Sequence, residues 1–511
     1  MDAEETRHEL YHEIFGSVLD RREMTPYLLR GCTEYAQALR RAALMMGNRG
    51  FDVVDGELVS AERERALAYV RQAVQYFLYR LLPVVDAQLR ALAAVGSPLA
   101  DRYAAASAEI AALRGILLDP SFSALIAEDP RHLFLLSSSA KYPALFRGHP
   151  LVPQPVPEAW RRMGCAVLKM CRLIKAIEED SQDINDYARL GLFFESRRIG
   201  LPDLYAFGWD NPDLVPDEEG AQRAFVKLSA FFRKLGESVS RDEDRDCLVF
   251  DSGDGVRVDI VEIKARLKSP ESMFAKLGKD AEGEAYGIRD ILAITFLLKD
   301  REDTLSLFHA LQKRGVILQE NTISTSITQT LFTDGKDMEE AVRRLLRNLA
   351  QYSAAQYSAA QSGTAQYDAA RTSVDDEAVA TAAADFYAAL GMNAVRNPHT
   401  SDKHRKFQCK INFSLPVHRD ASTGRILVPG TVAYTYRDKI DVITQQHTLP
   451  VELRISDRRS WEESEQRGEA HHDAYKLRQL LVLMNRLFAP LFDFPAEDFP
   501  RLREDQARLF K

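Results

Sequence analysis

Several things are scarce in this chain, and each scarcity removes a class of protein. Only five cysteines occur in 511 residues: Cys32, Cys165, Cys171, Cys247 and Cys409. None forms a C-x-x-C pair and their number is odd, which argues against a zinc ribbon and against a disulfide framework. Reduced thiols in a cytoplasmic compartment are the economical reading. The first residues, Met1-Asp2-Ala3-Glu4-Glu5, show no basic-then-apolar leader, so no signal peptide is expected. No long apolar run is present either. Phe77 to Val85 and Leu477 to Phe492 are interrupted by Arg or Pro, too short for a bilayer span, and no membrane partner is expected. An excess of positive charge is also missing. Lys+Arg number 67 against 75 Asp+Glu, a formal net charge of −8, which excludes a general nucleic-acid coat but leaves room for a local basic site. What remains is an ordinary folded composition, 46% hydrophobic and 28% charged, long enough for two or three domains with ample core.

The first 200 or so residues read as helix after helix. Ser60-Ala61-Glu62-Arg63 resembles a helix start, followed by apolar residues at helical spacing through Tyr69, Val70, Val74, Phe77, Leu78 and Leu81. Pro83 should kink or end that helix. Further helical patterns run from about Asp101 to Leu118 and from Pro157 to Leu192, and the acidic run Glu178-Glu179-Asp180 reads as a solvated face. Residues 201–220, rich in Pro, Gly and Asp, read as a linker. After a helix from Ala221 to Leu235 the period changes. Cys247 to Phe250 and Val256 to Ile260 read as strands around the turn Asp251-Ser252-Gly253-Asp254-Gly255, opening a mixed α/β region. An insertion at about 335–395 carries Gln351-Tyr352-Ser353-Ala354-Ala355, its direct repeat at 356–360 and a looser copy at 366–370. That five-residue period suits neither a solenoid nor a heptad, so a frayed helix extension or disorder is expected. The expected organisation is a helical domain over 1–200, the linker, an α/β domain over 221–490 and a tail over 491–511.

The chemistry concentrates after the second strand. A strand ends near Arg266, Ser269 can cap, and Pro270 suits the first position of a short helix. Ser272 and Lys276 then share a face, close in sequence to Arg266 and Lys268, so three cations and a hydroxyl gather at a helix start, where backbone N–H groups favour anions. Asp290 opens the apolar strand Ile291-Leu292-Ala293-Ile294-Thr295-Phe296, and Glu452 sits within Leu449-Pro450-Val451-Glu452-Leu453-Arg454-Ile455. Carboxylates on adjacent strands suit Mg²⁺ binding and activation of a hydroxyl, although strand-end turn residues are the commoner case. Asp259 and Glu262 are rival carboxylates, read as an ordinary solvent-facing edge. Adjacent His471 and His472 would point apart on a helix, so at most one faces a site.

The order R-x-K-x-x-x-S-x-x-x-K, then an Asp opening a strand, then a Glu in an E-x-x-I strand, resembles the synthetase domain of the RelA/SpoT family. Gly468-Glu469-Ala470-His471-His472-Asp473-Ala474-Tyr475-Lys476 resembles that family's G-x-A-x-H-x-x-Y-K segment. The resemblance covers about residues 240 to 480. It implies a nucleotidyltransferase-like mixed sheet flanked by helices, and transfer of pyrophosphate from ATP to a ribose hydroxyl, as in ppGpp-type synthesis. By the same resemblance Arg266 would pack on adenine, and Lys268, Ser272 and Lys276 would hold the ATP phosphates. Asp290 would bind Mg²⁺, with Glu452 assisting it or acting as the base. His472, Tyr475 and Lys476 would form the far wall.

The departures from that pattern are specific. Thr295 stands where the family has an Arg, and Arg454 where it usually has a Gln. The acceptor loop's best counterpart is Arg405-Lys406-Phe407-Gln408-Cys409-Lys410-Ile411, in which Phe407 would offer a stacking face and Arg405 and Lys406 would touch the acceptor. The basic run Lys403 to Lys406 would suit an RNA backbone, although a solvated loop end is the commoner case; by the resemblance, whose other members modify a tRNA 3′ end, the acceptor would be a guanine nucleotide or a tRNA 3′ end. No H-D dipeptide occurs in the first 240 residues, so no hydrolase of the family's His-Asp type is expected. A catalytically degenerate nucleotide sensor or scaffold is the alternative, and the oligomeric state is left open.

Overall fold

A computed structural model of the chain describes residues 35–47, 59–139, 146–180, 182–201, 208–268, 270–279, 290–323, 327–332, 335–360, 376–391, 405–465, 471–489 and 491–510. Two compact units emerge, one drawn from Met1–Ser181, Pro270–Gly287 and His471–Lys511, the other from Gln182–Ser269 and Ile288–Ala470.

The first unit is helical. In the helix Ser60–Tyr76 the buried residues Ala66, Tyr69, Val70, Ala73 and Tyr76 follow helical spacing, which explains both the helix and the face it buries. Pro83 neither breaks nor ends this run. A π-helical turn, Phe77–Leu81, leads into the helix Leu82–Ala93, with Pro83 in its first turn, where the missing N–H and ring cost least. The expected helix over 157–192 is two, Glu158–Asp180 and Gln182–Arg197, and the second belongs to the other unit. The C-terminal helices His472–Phe488 and Phe499–Leu509 belong to the helical unit, as does Pro270–Lys279. Gly278 permits their close approach, because a Cβ there would overlap the Leu483 side chain. Phe77 packs against Phe488 and Tyr103 stacks on Phe494, with ring centroids 5.4 and 5.9 Å apart. The fully buried Asp505 accepts hydrogen bonds from Tyr103 Oη, at 2.8 Å, and from Ser97 Oγ.

The second unit is built on one seven-stranded mixed sheet, order β1-β2-β3-β4-β7-β6-β5. The strands are β1 Val239–Asp242, β2 Cys247–Asp251, β3 Arg257–Leu267, β4 Leu292–Leu298, β5 Thr328–Gln329, β6 Phe407–Asp420 and β7 Val442–Asp457. Neighbours run antiparallel except β4 and β7, which are parallel. Every residue of β4 is buried, as expected of an apolar strand in mid-sheet. Helices Glu219–Gly236 and Thr304–Lys313 cover one face: Phe231 meets Phe413 and Phe308 meets Phe407 edge-on, with centroids 5.3 and 5.2 Å apart.

Three boundaries differ from the sequence reading. The second unit begins at Gln182, not near 221. Its first helix is held to Glu219–Gly236 by Arg223 on Asp186, 2.6 and 2.9 Å, and by Lys227 on Asp183, 2.7 Å. The described part of the expected linker is not slack. Trp209 stacks on Phe232 at 4.8 Å, and Gly430, at φ +85°, lies so close to the Asp210 carbonyl that a Cβ would overlap it. Nor is the insertion low-complexity throughout. The helix Gly335–Ala360 buries Met338, Ala341, Val342 and Leu345 with Leu305, Leu331, Phe332 and Val379, Ala383 from the helix Asp376–Gly391. The first two Gln-Tyr-Ser-Ala-Ala copies continue that helix; the third lies outside the described residues.

Candidate functional site

The sheet register places the charged residues. Arg266 pairs with Ala293, Ala293 with Glu452, and Glu452 with Lys410, so one row crosses β3, β4, β7 and β6. Two residues along, Lys264, Thr295, Arg454 and Gln408 make a second row. Paired residues share a face and i, i+2 residues share it too, so all eight lie on the face opposite Phe308 and Phe231. Each row spans about 14 Å at the usual strand spacing. Its centre is floored by the short Ala293 and Thr295, with long charged side chains on both sides. At the end of β3, Lys268 donates its backbone N–H to the Ile291 carbonyl at 2.8 Å, and its ammonium pairs with Asp290.

Glu452 is the anchor of the face. It is 4% exposed; its Oε1 accepts from Arg454 Nε and lies 2.7 Å from Arg454 Nη2, while its Oε2 accepts from Gln408 Nε2 at 3.0 Å. Burial alone would raise its carboxyl, but Arg454, Lys406 and Lys410 outweigh this and hold it down at about 2. Arg454 also lies 3.7 Å from Glu465 on the helix Arg458–Glu465. Lys406 is pushed down to about 7, by burial first and then by the Arg454 charge. Gln408 turns its amide N–H to Glu452 and leaves its Oε1 buried without a protein partner. From the same helix Trp461 receives the Lys264 ammonium over its ring, 5.1 Å from the centroid.

Arg266, Lys268, Asp290, Glu452 and Lys406 therefore all belong to the second unit. Ser272 and Lys276, on the helix Pro270–Lys279, and His472, Tyr475 and Lys476, on the helix His472–Phe488, are carried by the first unit. There His471 caps its helix by accepting the Asp473 N–H at 3.1 Å, and Tyr475 Oη accepts from Gln479 at 2.6 Å. Ser269, Lys403, His404 and Gly468 to Ala470 lie outside the described residues.

Phe407 corrects the sequence reading. It is fully buried on the helix-covered face against Phe308, because alternation along β6 sends 407, 409 and 411 to the core and 406, 408 and 410 to the charged face. It offers no stacking surface to an acceptor. Arg405 is also tied down, its N–H bonded to Ser464 Oγ at 2.8 Å and its guanidinium to the Thr330 carbonyl at 3.2 Å. Asp259 behaves as an edge residue and accepts from Arg245 at 2.7 and 3.0 Å. The residues that motif reasoning missed are Lys264, Gln408, Lys410, Trp461 and Glu465. The first three follow from i±2 alternation once strand neighbours are known.

Thr295 and Arg454 are direct cross-strand partners, so the row carries its threonine on β4 and its arginine on β7. Gln408, across from Arg454 on β6, supplies the amide that holds Glu452. Among the described residues the four cysteines, Cys165, Cys171, Cys247 and Cys409, form no disulfide, and Cys32 lies outside the described residues. Among the described residues no single helix is long and apolar enough to cross a membrane. No family model, no curated protein and no solved structure matches this chain.

Proposed function

We propose that the second unit is an ATP- and Mg²⁺-dependent pyrophosphotransferase that transfers pyrophosphate from ATP to a ribose hydroxyl of a guanine nucleotide or a tRNA 3′ end, on a nucleotidyltransferase-like sheet. The observation that carries this reading is the cross-strand row Arg266, Ala293, Glu452 and Lys410 beside the Lys268–Asp290 pair. Five cations, Lys264, Arg266, Lys268, Lys410 and Arg454, around two carboxylates suit a triphosphate with a hard divalent ion. Asp290 and Glu452 present oxygen donors, the chemistry Mg²⁺ prefers, although each is now neutralised by a cation that would turn to phosphate. When bound, Mg²⁺ supplies charge stabilisation at the transferring phosphates.

In the reaction the ribose hydroxyl oxygen bonds to the β-phosphorus and gives up its proton to solvent water, the bond from that phosphorus to the oxygen bridging it to the α-phosphate breaks, and AMP leaves with the electron pair. Positioning and charge dominate such transfers, so little basicity is asked of the protein. That suits Glu452, which at about 2 is a poor base but a firm anchor for Arg454. The buried Gln408 Oε1 is an acceptor for the incoming hydroxyl. Trp461, beside Lys264, offers the aromatic face that Phe407 does not.

A degenerate nucleotide sensor is the second reading, favoured by the cations that cover both carboxylates. The two separate in one assay. The protein is incubated with Mg²⁺ and ATP labelled at the γ-phosphate, with GDP, GTP and deacylated tRNA offered separately. Label transfer that disappears with Asp290→Asn and Glu452→Gln supports the enzyme; nucleotide binding without transfer supports the sensor. Absence of both refutes the reading of the face as a nucleotide site.

A further inference from the structure

The helical unit gathers a second set of polar side chains of its own. Glu128 ends the helix Pro120–Glu128, His132 opens the helix His132–Ser138, His149 follows a short turn, and Tyr35 opens the helix Tyr35–Gly47. One nitrogen from each imidazole and one Glu128 oxygen lie within 4.8 Å of one another. We propose that Glu128, His132 and His149 form a site for a borderline divalent transition-metal ion, Zn²⁺ first, with Tyr35 or water at the fourth position.

The argument begins with His132, which has no solvent exposure. Its Nδ1–H donates to the Leu125 carbonyl at 2.7 Å, which fixes the tautomer and leaves a lone pair on Nε2 facing the Tyr35 hydroxyl. A ring N–H held by a backbone carbonyl is how metal-bound histidines are oriented. His149 has 12% of its side chain exposed and lies 3.8 Å from the Glu128 carboxylate, itself 54% exposed. The set therefore grades from a sealed imidazole to an open carboxylate, which provides an entry path.

Two imidazoles and one carboxylate form an N₂O set. Nitrogen donors disfavour Mg²⁺ and Ca²⁺, and three protein ligands with one open position is a common Zn²⁺ arrangement. Ligation has a local cost. The Leu151 N–H now donates to His149 Nδ1 at 3.3 Å, so binding at Nε2 moves that ring's proton to Nδ1 and gives up this long bond. Phe146 packs edge-on to both imidazoles, 6.1 and 5.8 Å between centroids, and walls the inner side. This inference does not depend on the pyrophosphotransferase reading.

The test uses the full chain after chelator treatment and dialysis. Zn²⁺ is titrated by calorimetry in millimolar Mg²⁺, and Co²⁺ is added separately as a spectroscopic probe. One equivalent of Zn²⁺, tetrahedral Co²⁺ ligand-field bands, and a rise in thermal midpoint of roughly 5–10 °C at hundredfold excess over Kd are expected. His149→Ala and Glu128→Gln sit on the open side, so their folding is checked by circular dichroism before titration. His149→Ala should weaken binding at least a hundredfold and Glu128→Gln at least tenfold, with the tetrahedral bands lost in His149→Ala. Absence of one-to-one binding, or binding that survives both substitutions, overturns the site.

Discussion

Replacing Arg454 by Met removes the charge that makes a buried carboxylate tolerable, and its effect can be worked out beforehand. Glu452 titrates at about 2 in the folded chain and near 4.3 when unfolded, and each unit of difference is about 1.4 kcal/mol, so ionisation of this one group contributes about 3 kcal/mol. The sign follows from the lowered value. The unfolded chain binds more protons between the two pKa values, so the contribution is fully present above about pH 4.5 and is lost as pH falls toward 2. Arg454 is the largest opposing influence on that carboxyl. Without it Glu452 keeps one hydrogen bond, from Gln408, in a site almost closed to water. Removing one partner of a buried pair costs about 3–5 kcal/mol, because the other charge is stranded.

Arg454→Met should therefore destabilise the second unit by about 3–5 kcal/mol at pH 7, and the variant should lose less stability than wild type as pH falls through the acid range. Arg454→Met combined with Glu452→Gln should cost less than the sum of the single changes, with a coupling of about 2–3 kcal/mol. Hydrogen exchange in β7 peptides along a urea titration reads this unit separately from the helical one. An additive cycle, or a single-variant cost below about 1 kcal/mol, would refute the anchoring role assigned to this pair.

Lys406 should behave in the opposite pH range. Its folded value, about 7, lies below that of an unfolded lysine, so stability should rise from pH 7 to 10 as the unfolded chain binds the extra proton; Lys406→Met should flatten that rise. The same amine should acylate near pH 7.5 faster than surface lysines, as read by peptide mass spectrometry, and labelling no faster than theirs would count against the lowered value. Phe407→Ala should cost about 3–5 kcal/mol in stability while leaving ATP and acceptor affinity of the folded fraction unchanged, because the ring is core. A selective loss of acceptor affinity would return Phe407 to the site. Gly430→Ala should lower the midpoint of the second unit, since it demands both a left-handed residue and space held by the Asp210 carbonyl; a neutral result would mean that 208–211 moves aside.

How far this was readable in advance depended on range along the chain. The β2 and β3 strands around Gly253, the helix opening at Pro270, and the strands carrying Asp290 and Glu452 were legible because local alternation and turn chemistry specify them. The second cation row was not, because nothing local states that β4 lies between β3 and β7. Phe407 was misread although its signal was present: Lys406, Gln408 and Lys410 alternate with Phe407, Cys409 and Ile411, the period of a half-buried strand. Treating 405–411 as a loop discarded that parity. Membership of the helix His472–Phe488 in the same unit as the N-terminal helices rests on contacts more than 300 residues apart, such as Lys169 Nζ on the Arg486 carbonyl at 2.7 Å. No local pattern encodes such a pairing.

Under the proposed function, the charged face would let a chain of net charge −8 present a polyanion site. Its cations are not loose: Lys268 is on Asp290, and Arg454 is on Glu452 and near Glu465. In the low dielectric around a residue 4% exposed, such pairing lets several cations be held close without one another's repulsion unfolding the sheet. On the proposed function, a triphosphate with its divalent ion would exchange like for like, phosphate taking the cations and the metal taking the carboxylates, so the face would not need to create or bury an unpaired charge on binding. Affinity should then depend on metal and nucleotide together. Nucleotide without Mg²⁺ would free Asp290 and Glu452 from their cations and leave them uncompensated, and Mg²⁺ alone would strand Lys268 and Arg454. Calorimetry of ATP with and without Mg²⁺ should show at least tenfold weaker binding in the metal's absence. Equal affinity in both conditions would show that the cations and carboxylates of this face are not exchanged as pairs.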